Sequence, residues 1–221
     1  DAVEMQKTYL ELFQAPSTMI AYGSDPYIPV SIDQLSPWKL ESRSYFLIVG
    51  RLIPDNNSEI LIDGYLQSKT DKLLVIVGDD VFNDDYAQSI KKKIQGNSNI
   101  VFTGYVKDPA ILSALYQHCY AYLHGHEFGG TNPTLIKALA EGAGICALGT
   151  RFNREVLAEG EFGFLFEKEA GSIAQSLLAP EEVFANFRLK AQSRIIDIYN
   201  WDFITTQYER IFVNSQHEGN L

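Results

Sequence analysis

The amino-acid sequence predicts a doubly wound α/β domain, and three observations carry that expectation. Continuous apolar runs recur along the chain, segments of helical period separate them, and each of the first five runs ends in glycine. A run that is apolar at every position suits a strand covered on both faces, as in a parallel sheet. Strand and helix in alternation imply right-handed crossovers and one layered sheet. Five similar ends suggest one sheet edge, and ligands of such sheets bind outside the carboxyl ends of the strands. A site is therefore expected at the glycine ends.

In chain order, residues 1–14 suit a helix, 17–22 a strand, and 23–42 a connector containing Pro26, Pro29 and Pro37. The five glycine-ended strands are 45–50, 73–78, 100–104, 121–125 and 144–149. Between them, helical spacing is expected over 58–68, with Ile60, Leu61, Tyr65 and Leu66, and over 86–94, 109–119 and 133–141. A sixth strand follows at 163–166, then helical periodicity over 170–178, 180–199 and 201–212, and a polar tail over 214–221 expected to fray.

Composition bounds the function. The chain has 221 residues, 46% hydrophobic and 21% charged, which excludes wholesale disorder and allows one large domain or two small ones. A net charge of -10 argues against nucleic acid or an anionic membrane as partner of the whole surface, so an anionic ligand needs a local trap. The longest apolar runs fall far short of the roughly 20 residues that span a bilayer. Asp1-Ala2-Val3-Glu4 lacks the basic and apolar regions of a signal peptide, so a cytoplasmic location is the default expectation. Cys119 and Cys146 have no Cys-x-x-Cys spacing and apolar neighbours, as buried small side chains do.

The segment richest in chemistry is His124-Gly125-His126-Glu127-Phe128-Gly129-Gly130-Thr131-Asn132-Pro133, directly after an expected strand and before an expected helix. Gly129 and Gly130 permit close backbone approach, Thr131 or Asn132 can cap the helix, and Pro133 suits its first turn. Free N–H groups at the positive helix end make an anion site, and a pyrophosphate would fit it. A plain capped turn is the alternative. His124 and His126 flank Gly125 at a strand end and are expected to point to opposite sides, one toward the cleft and one packed. They make a poor metal pair without a third ligand. Asp79, Asp80, Asp84 and Asp85 lack EF-hand spacing and read as solvated loop and helix-start charges.

Four stretches together carry a resemblance. Gly50-Arg51-Leu52-Ile53-Pro54-Asp55-Asn56-Asn57, Val101-Phe102-Thr103-Gly104-Tyr105-Val106, the His124 to Pro133 run and Phe152-Asn153-Arg154-Glu155-Val156-Leu157 resemble, in order and spacing, the carboxyl-terminal half of retaining glycosyltransferases of family 4. The Gly-Gly-Thr-Asn-Pro form is similar to a branch that includes bacterial rhamnosyltransferases. The resemblance implies a Rossmann-like donor-binding half of a two-domain GT-B fold over 17–213. Residues 1–16 would then be the end of a missing amino-terminal domain or its linker helix, and 214–221 a flexible tail.

For function, the resemblance implies transfer of a hexosyl, in that branch rhamnosyl, group from a nucleoside diphosphate sugar. The acceptor would be a bacterial surface polysaccharide or lipid-linked glycan, held by the missing domain. It implies no cofactor, no obligatory metal and no nucleic-acid partner, and attachment of the full-length protein to the inner face of the membrane. A binding protein that keeps the fold without donor chemistry is the alternative.

Residue by residue, the resemblance places Arg51 on the donor pyrophosphate, Tyr105 and Val106 against the nucleobase, and Gly129, Gly130, Thr131 and Asn132 at the distal phosphate. Glu127 falls near the donor sugar as the candidate catalytic group, positioning and stabilising the sugar, and His124 or His126 makes polar contacts to sugar or phosphate. Two positions depart from the pattern: Asn56 stands where many relatives have a phosphate-binding lysine, and Lys137 where they have a ribose-binding glutamate. An ammonium only donates hydrogen bonds. Lys137 is therefore open to three readings: a solvent-facing partner of Glu141, a recruit to the pyrophosphate, or a mark of degraded donor binding.

Overall fold

The computed structural model describes residues 1–78 and 85–218, with side chains described to residue 213. Among these residues, six strands form one all-parallel sheet: β1 (Tyr45–Val49), β2 (Leu73–Val77), β3 (Ile100–Gly104), β4 (Ala121–His124), β5 (Ile145–Leu148) and β6 (Phe164–Phe166), in the order β3-β2-β1-β4-β5-β6. Strand order reverses between β1 and β4, which pair through Phe46 with Ala121 and Leu47 with Tyr122. This is the switch point beside which doubly wound sheets bind ligands.

Both faces of the sheet are buried, which is why the runs are apolar throughout. Tyr45, Leu47, Val75, Tyr122, Ile145 and Ala147 pack on one side with α4 (Pro109–His118) and α5 (Pro133–Ala140). The alternating partners Phe46, Ile48, Leu74, Ile76, Leu123 and Cys146 pack on the other with α2 (Ser58–Ser68), α3 (Asp85–Ile94) and α7 (Ala170–Leu177). The C-terminal helices bridge the two layers. Phe184 of α8 (Glu181–Arg194) joins the second face, whereas Ala191, the π-helical turn Ile195–Tyr199 and Ile204 of α9 (Trp201–Glu218) join the first. Cys119 and Cys146 are buried as expected, and burial pushes the Cys119 thiol up to about 12.

The structure corrects several expectations. Residues 17–22 form no strand: Ile20 and Ala21 are buried outside any helix or strand, and pairing is limited to a bridge between Ser24 and Asn200. The connector contains a 3-10 helix at Ile32–Trp38. A helix that was not expected, α6 (Arg151–Val156), follows β5, with Thr150 capping it by accepting from the Asn153 amide at 3.1 Å. Helix α9 continues to Glu218, past the expected end at residue 212, so 214–218 are helical and 219–221 lie outside the described residues. Asp79, Asp80 and Asp84 also lie outside them.

The first helix, α1 (Val3–Phe13), docks on α6. The Glu155 carboxylate accepts from the free amides of Val3 at 2.8 Å and Glu4 at 3.2 Å, an anion at the positive end of a helix. The same end of α6 is also held from α8. Arg194 donates to the carbonyls of Glu155 at 2.8 Å and Val156 at 3.1 Å.

Candidate functional site

Glycines at the strand ends let the site loops cross closely. A Cβ on Gly78 would stand 2.2 Å from the Gly50 carbonyl oxygen, and one on Gly125 would stand 2.5 Å from that of Asn56. The turn after β1 and the turn after β4 are thereby drawn together and stitched residue by residue. Glu127 N donates to the Asp55 carbonyl at 3.0 Å, His126 Nδ1 bonds Asn56 Oδ1 at 2.8 Å, and Asn57 Nδ2 donates to the Gly125 carbonyl at 2.8 Å. Asn153 of α6 ties the arrangement to β5, donating to the carbonyls of His126 at 3.1 Å and Leu148 at 2.9 Å.

Two clefts open above the switch point. The first, about 330 Å³, is lined among others by Gly50, Arg51, Asn56, His124, His126 and Asn132. The second, about 380 Å³ and more apolar, is lined by Val49, Gly50, Arg51, Val77, Gly78, Tyr105, Val106 and Leu112. They share Val49, Gly50 and Arg51, so the Arg51 position stands where a polar chamber meets an apolar one.

Helix α5 begins at the polar chamber. Asn132 is its cap, with Oδ1 accepting from Thr134 N at 3.0 Å and Thr134 Oγ1 at 2.6 Å, and Pro133 occupies the first turn. Among the described residues, the amides of Gly129, Gly130, Thr131 and Asn132 have no hydrogen-bond acceptor. Gly130 and Thr131 nevertheless face the start of the chain. The Asp1 carboxylate lies where a Cβ on Gly130 would be, and Thr131 Oγ1 donates to the Asp1 carbonyl.

The two histidines do not point to opposite sides. Positions two apart along a strand direction share a face, and both rings line the first cleft with centroids 6.1 Å apart, although β4 itself ends at His124. His124 is 3% exposed, its Nδ1 lies 2.9 Å from the Tyr122 hydroxyl, and its buried Nε2 has no partner among the described residues. Burial pushes its imidazole down to about 3, and the neighbouring His126 adds to the shift.

A depressed histidine has a defined effect on stability. Below about pH 6.5 the unfolded chain takes up a proton that the folded ring refuses until about pH 3. Stability held above that window is lost as pH falls through it, with a slope of up to about 1.4 kcal/mol per pH unit. Urea midpoints measured from pH 7 to pH 4 are expected to fall more steeply for the unaltered chain than for His124→Gln. Equal slopes would show that the ring is free to protonate.

Glu127 lies outside the lining of both clefts. Its carboxylate is 2.5 Å from Lys168 Nζ and accepts from Asn57 Nδ2 at 3.1 Å, and these partners hold it below the usual carboxylate range, Lys168 first. Lys137 lies outside both linings as well. Its Nζ is 2.5 Å from Glu141 Oε1, but the pair is not the solvent-facing one considered from the sequence. Glu141 is 5% exposed and also accepts from Ser113 Oγ and Gln117 Nε2, each at 2.6 Å. Lys137 is thus engaged away from the chamber where a pyrophosphate would sit.

The structure therefore gathers Arg51, Asn56, His124, His126 and Asn132 in one cleft, places Tyr105 and Val106 in the adjoining one, and leaves Glu127, Gly129, Gly130, Thr131 and Lys137 outside both linings. Sequence reasoning missed Lys168, whose approach to Glu127 spans 41 positions and leaves no local motif. It also missed Asn57 and Asn153, although both lie inside stretches already singled out by their order.

Residues 43–179 match the family described as Glycosyl transferases group 1. The chain is 30% identical over 155 residues to an N-acetylgalactosamine-N,N'-diacetylbacillosaminyl-diphospho-undecaprenol 4-alpha-N-acetylgalactosaminyltransferase of Campylobacter jejuni, covering 68% of this chain and 41% of that protein. Among solved structures it is similar to sucrose-phosphate synthase from Thermosynechococcus elongatus, with TM-score 0.82, 18% identity, and coverage of 98% of this chain and 58% of that one. Anabaena HepE in complex with UDP-glucose gives TM-score 0.82 at 19% identity, over 96% of this chain and 62% of that one. The C-terminal domain of the Francisella tularensis group 1 protein LpcC is covered over 97% of its length, with TM-score 0.66 and 16% identity over 82% of this chain. These structural likenesses are of fold, a Rossmann-like parallel sheet of the kind found in GT-B glycosyltransferases. With 137 of its 221 residues inside the family match, the chain belongs to the group 1 glycosyl transferases.

Proposed function

We propose that this chain is the donor-binding, carboxyl-terminal half of a retaining glycosyltransferase that moves a hexosyl group from a nucleoside diphosphate sugar to a lipid-linked or surface glycan. A rhamnosyl donor is the narrower form of the proposal. The observation that carries it is the junction at Arg51, where an apolar chamber sized for a base meets a polar chamber at the start of α5. The base would rest against Tyr105 and Val106, and the phosphates would meet Arg51, whose guanidinium matches them in charge and shape. Glu127, held ionised by Lys168, would receive the sugar beyond the phosphates. The Campylobacter relative is named for an undecaprenol-linked saccharide acceptor, which supports the acceptor class.

Arg51, the helix start and the unpaired loop amides can supply the positive potential for the phosphates, so no obligatory metal ion is part of the proposal. Acceptor binding and any attachment to the membrane are assigned to chain beyond these residues. The second reading, a binding protein without donor chemistry, draws on Lys137 being engaged by Glu141. Saturation-transfer NMR with nucleotide sugars tests the proposal. Base protons are expected to receive the strongest saturation, because the base enters the apolar chamber. Saturation confined to the sugar protons would contradict it.

A further inference from the structure

His126 is held in one orientation by a short relay. Asn56 Nδ2 donates to the Arg51 carbonyl at 2.7 Å, which leaves Oδ1 as the atom that faces His126 Nδ1 at 2.8 Å. An amide oxygen only accepts, so Nδ1 must carry a proton. The other ring nitrogen is thereby assigned: in the neutral ring, Nε2 bears a lone pair. Among the described residues it has no hydrogen-bond partner. The atom nearest to a Cβ built on Gly129 is this Nε2, at 3.8 Å, so the ring edge faces the glycine turn that leads into α5.

We propose that His126 is the phosphate-contacting residue of the polar chamber and Asn56 its positioning residue. The inference rests on the reading of this cleft as a nucleotide site and deepens it. A phosphate oxygen against Nε2 is matched only when that nitrogen also holds a proton, which the ring takes from solvent as the anion binds. The imidazolium then donates from both nitrogens, Nδ1 to Asn56 and Nε2 to the phosphate. Asn56 is suited to this role because its acceptor faces the ring in both protonation states. A lysine or arginine in its place would have no acceptor to offer, and an apolar residue would leave Nδ1 free to lose its proton. The chamber would thus carry two cations when occupied, the permanent one of Arg51 and a conditional one at His126.

Nitrogen-15 spectra of the imidazoles test the relay directly. In the free chain, at a pH where the ring is neutral, His126 is expected to show a protonated Nδ1 and an unprotonated Nε2. Addition of a nucleoside diphosphate should protonate both, and Asn56→Leu should abolish the Nδ1–H preference. Binding supplies the second arm. His126→Gln should weaken a nucleoside diphosphate by about tenfold, the scale of a lost hydrogen bond to a charged group, while binding of the corresponding nucleoside is unchanged.

A proton on Nε2 alone in the free chain overturns the inference. So does a His126→Gln loss that is absent, or equal for diphosphate and nucleoside. In those cases nucleotide binding by the unaltered chain leaves the reading of the cleft standing. If the unaltered chain binds no nucleoside diphosphate, that reading falls and takes this inference with it.

Discussion

Replacing Glu141 with alanine is expected to cost the fold about 3–5 kcal/mol, the scale of losing several hydrogen bonds to one buried charged acceptor. The carboxylate is shared by three donors, Lys137 Nζ, Ser113 Oγ and Gln117 Nε2, and all three lose their acceptor at once. The loss also propagates. Gln117 fastens the connector before β1, donating to the Ile28 carbonyl at 2.8 Å and accepting from the Val30 amide at 2.8 Å. Urea denaturation would show a large fall in midpoint, and a cost under about 1 kcal/mol would contradict the network's importance. Lys137→Met should cost less, because Ser113 and Gln117 still donate to the carboxylate. Lys137→Glu, which restores the residue type implied by the family resemblance, should instead destabilise, because it sets a second carboxylate against Glu141.

Gly125→Val is the substitution expected to harm ligand binding most. Its Cβ would stand 2.5 Å from the Asn56 carbonyl oxygen, 3.1 Å from Leu61 Cδ1 and 3.2 Å from Asn57 Cβ, so the turn after β1 must move away from β4. That turn carries Asn56 toward His126 and begins beside Arg51, so displacement spoils both cation positions of the chamber. A strain of about 1–3 kcal/mol is typical of such overpacking. Nucleoside diphosphate affinity is expected to fall by about tenfold or more, equivalent to at least about 1.4 kcal/mol. Isothermal titration of a variant shown to be folded by circular dichroism measures this. Unchanged affinity would show that the stitched turns do not shape the site.

The sheet was legible because its physics is local. Runs such as Tyr45–Val49 and Leu73–Val77, apolar at every position, can be satisfied only by burial on both faces. The same reasoning failed at 17–22, where Ile20 and Ala21 bury without a sheet partner, since hydrophobicity reports burial and not hydrogen bonding. The place of the two clefts was legible from the strand-end glycines, and the cap of α5 was narrowed to Thr131 or Asn132, of which Asn132 forms it. Of the three readings left open for Lys137, the pair with Glu141 is formed, but the i, i+4 spacing is local and could not reveal that Glu141 is buried against Ser113 and Gln117 of α4. The histidines were misread because positions two apart on a strand share a face, so alternation gave no reason to expect His124 and His126 to part. Lys168 reaches Glu127 through tertiary packing alone, and no spacing within either segment records that contact.

The most direct test of the central claim is calorimetric titration of this chain with uridine, thymidine and guanosine diphosphates at low salt, with and without magnesium. Saturable binding of one base over the others is expected, of equal affinity with and without magnesium, and lost in Arg51→Ala. Absence of heat with all three at millimolar concentration, or binding that requires magnesium, would contradict a donor site built from Arg51, His126 and the start of α5.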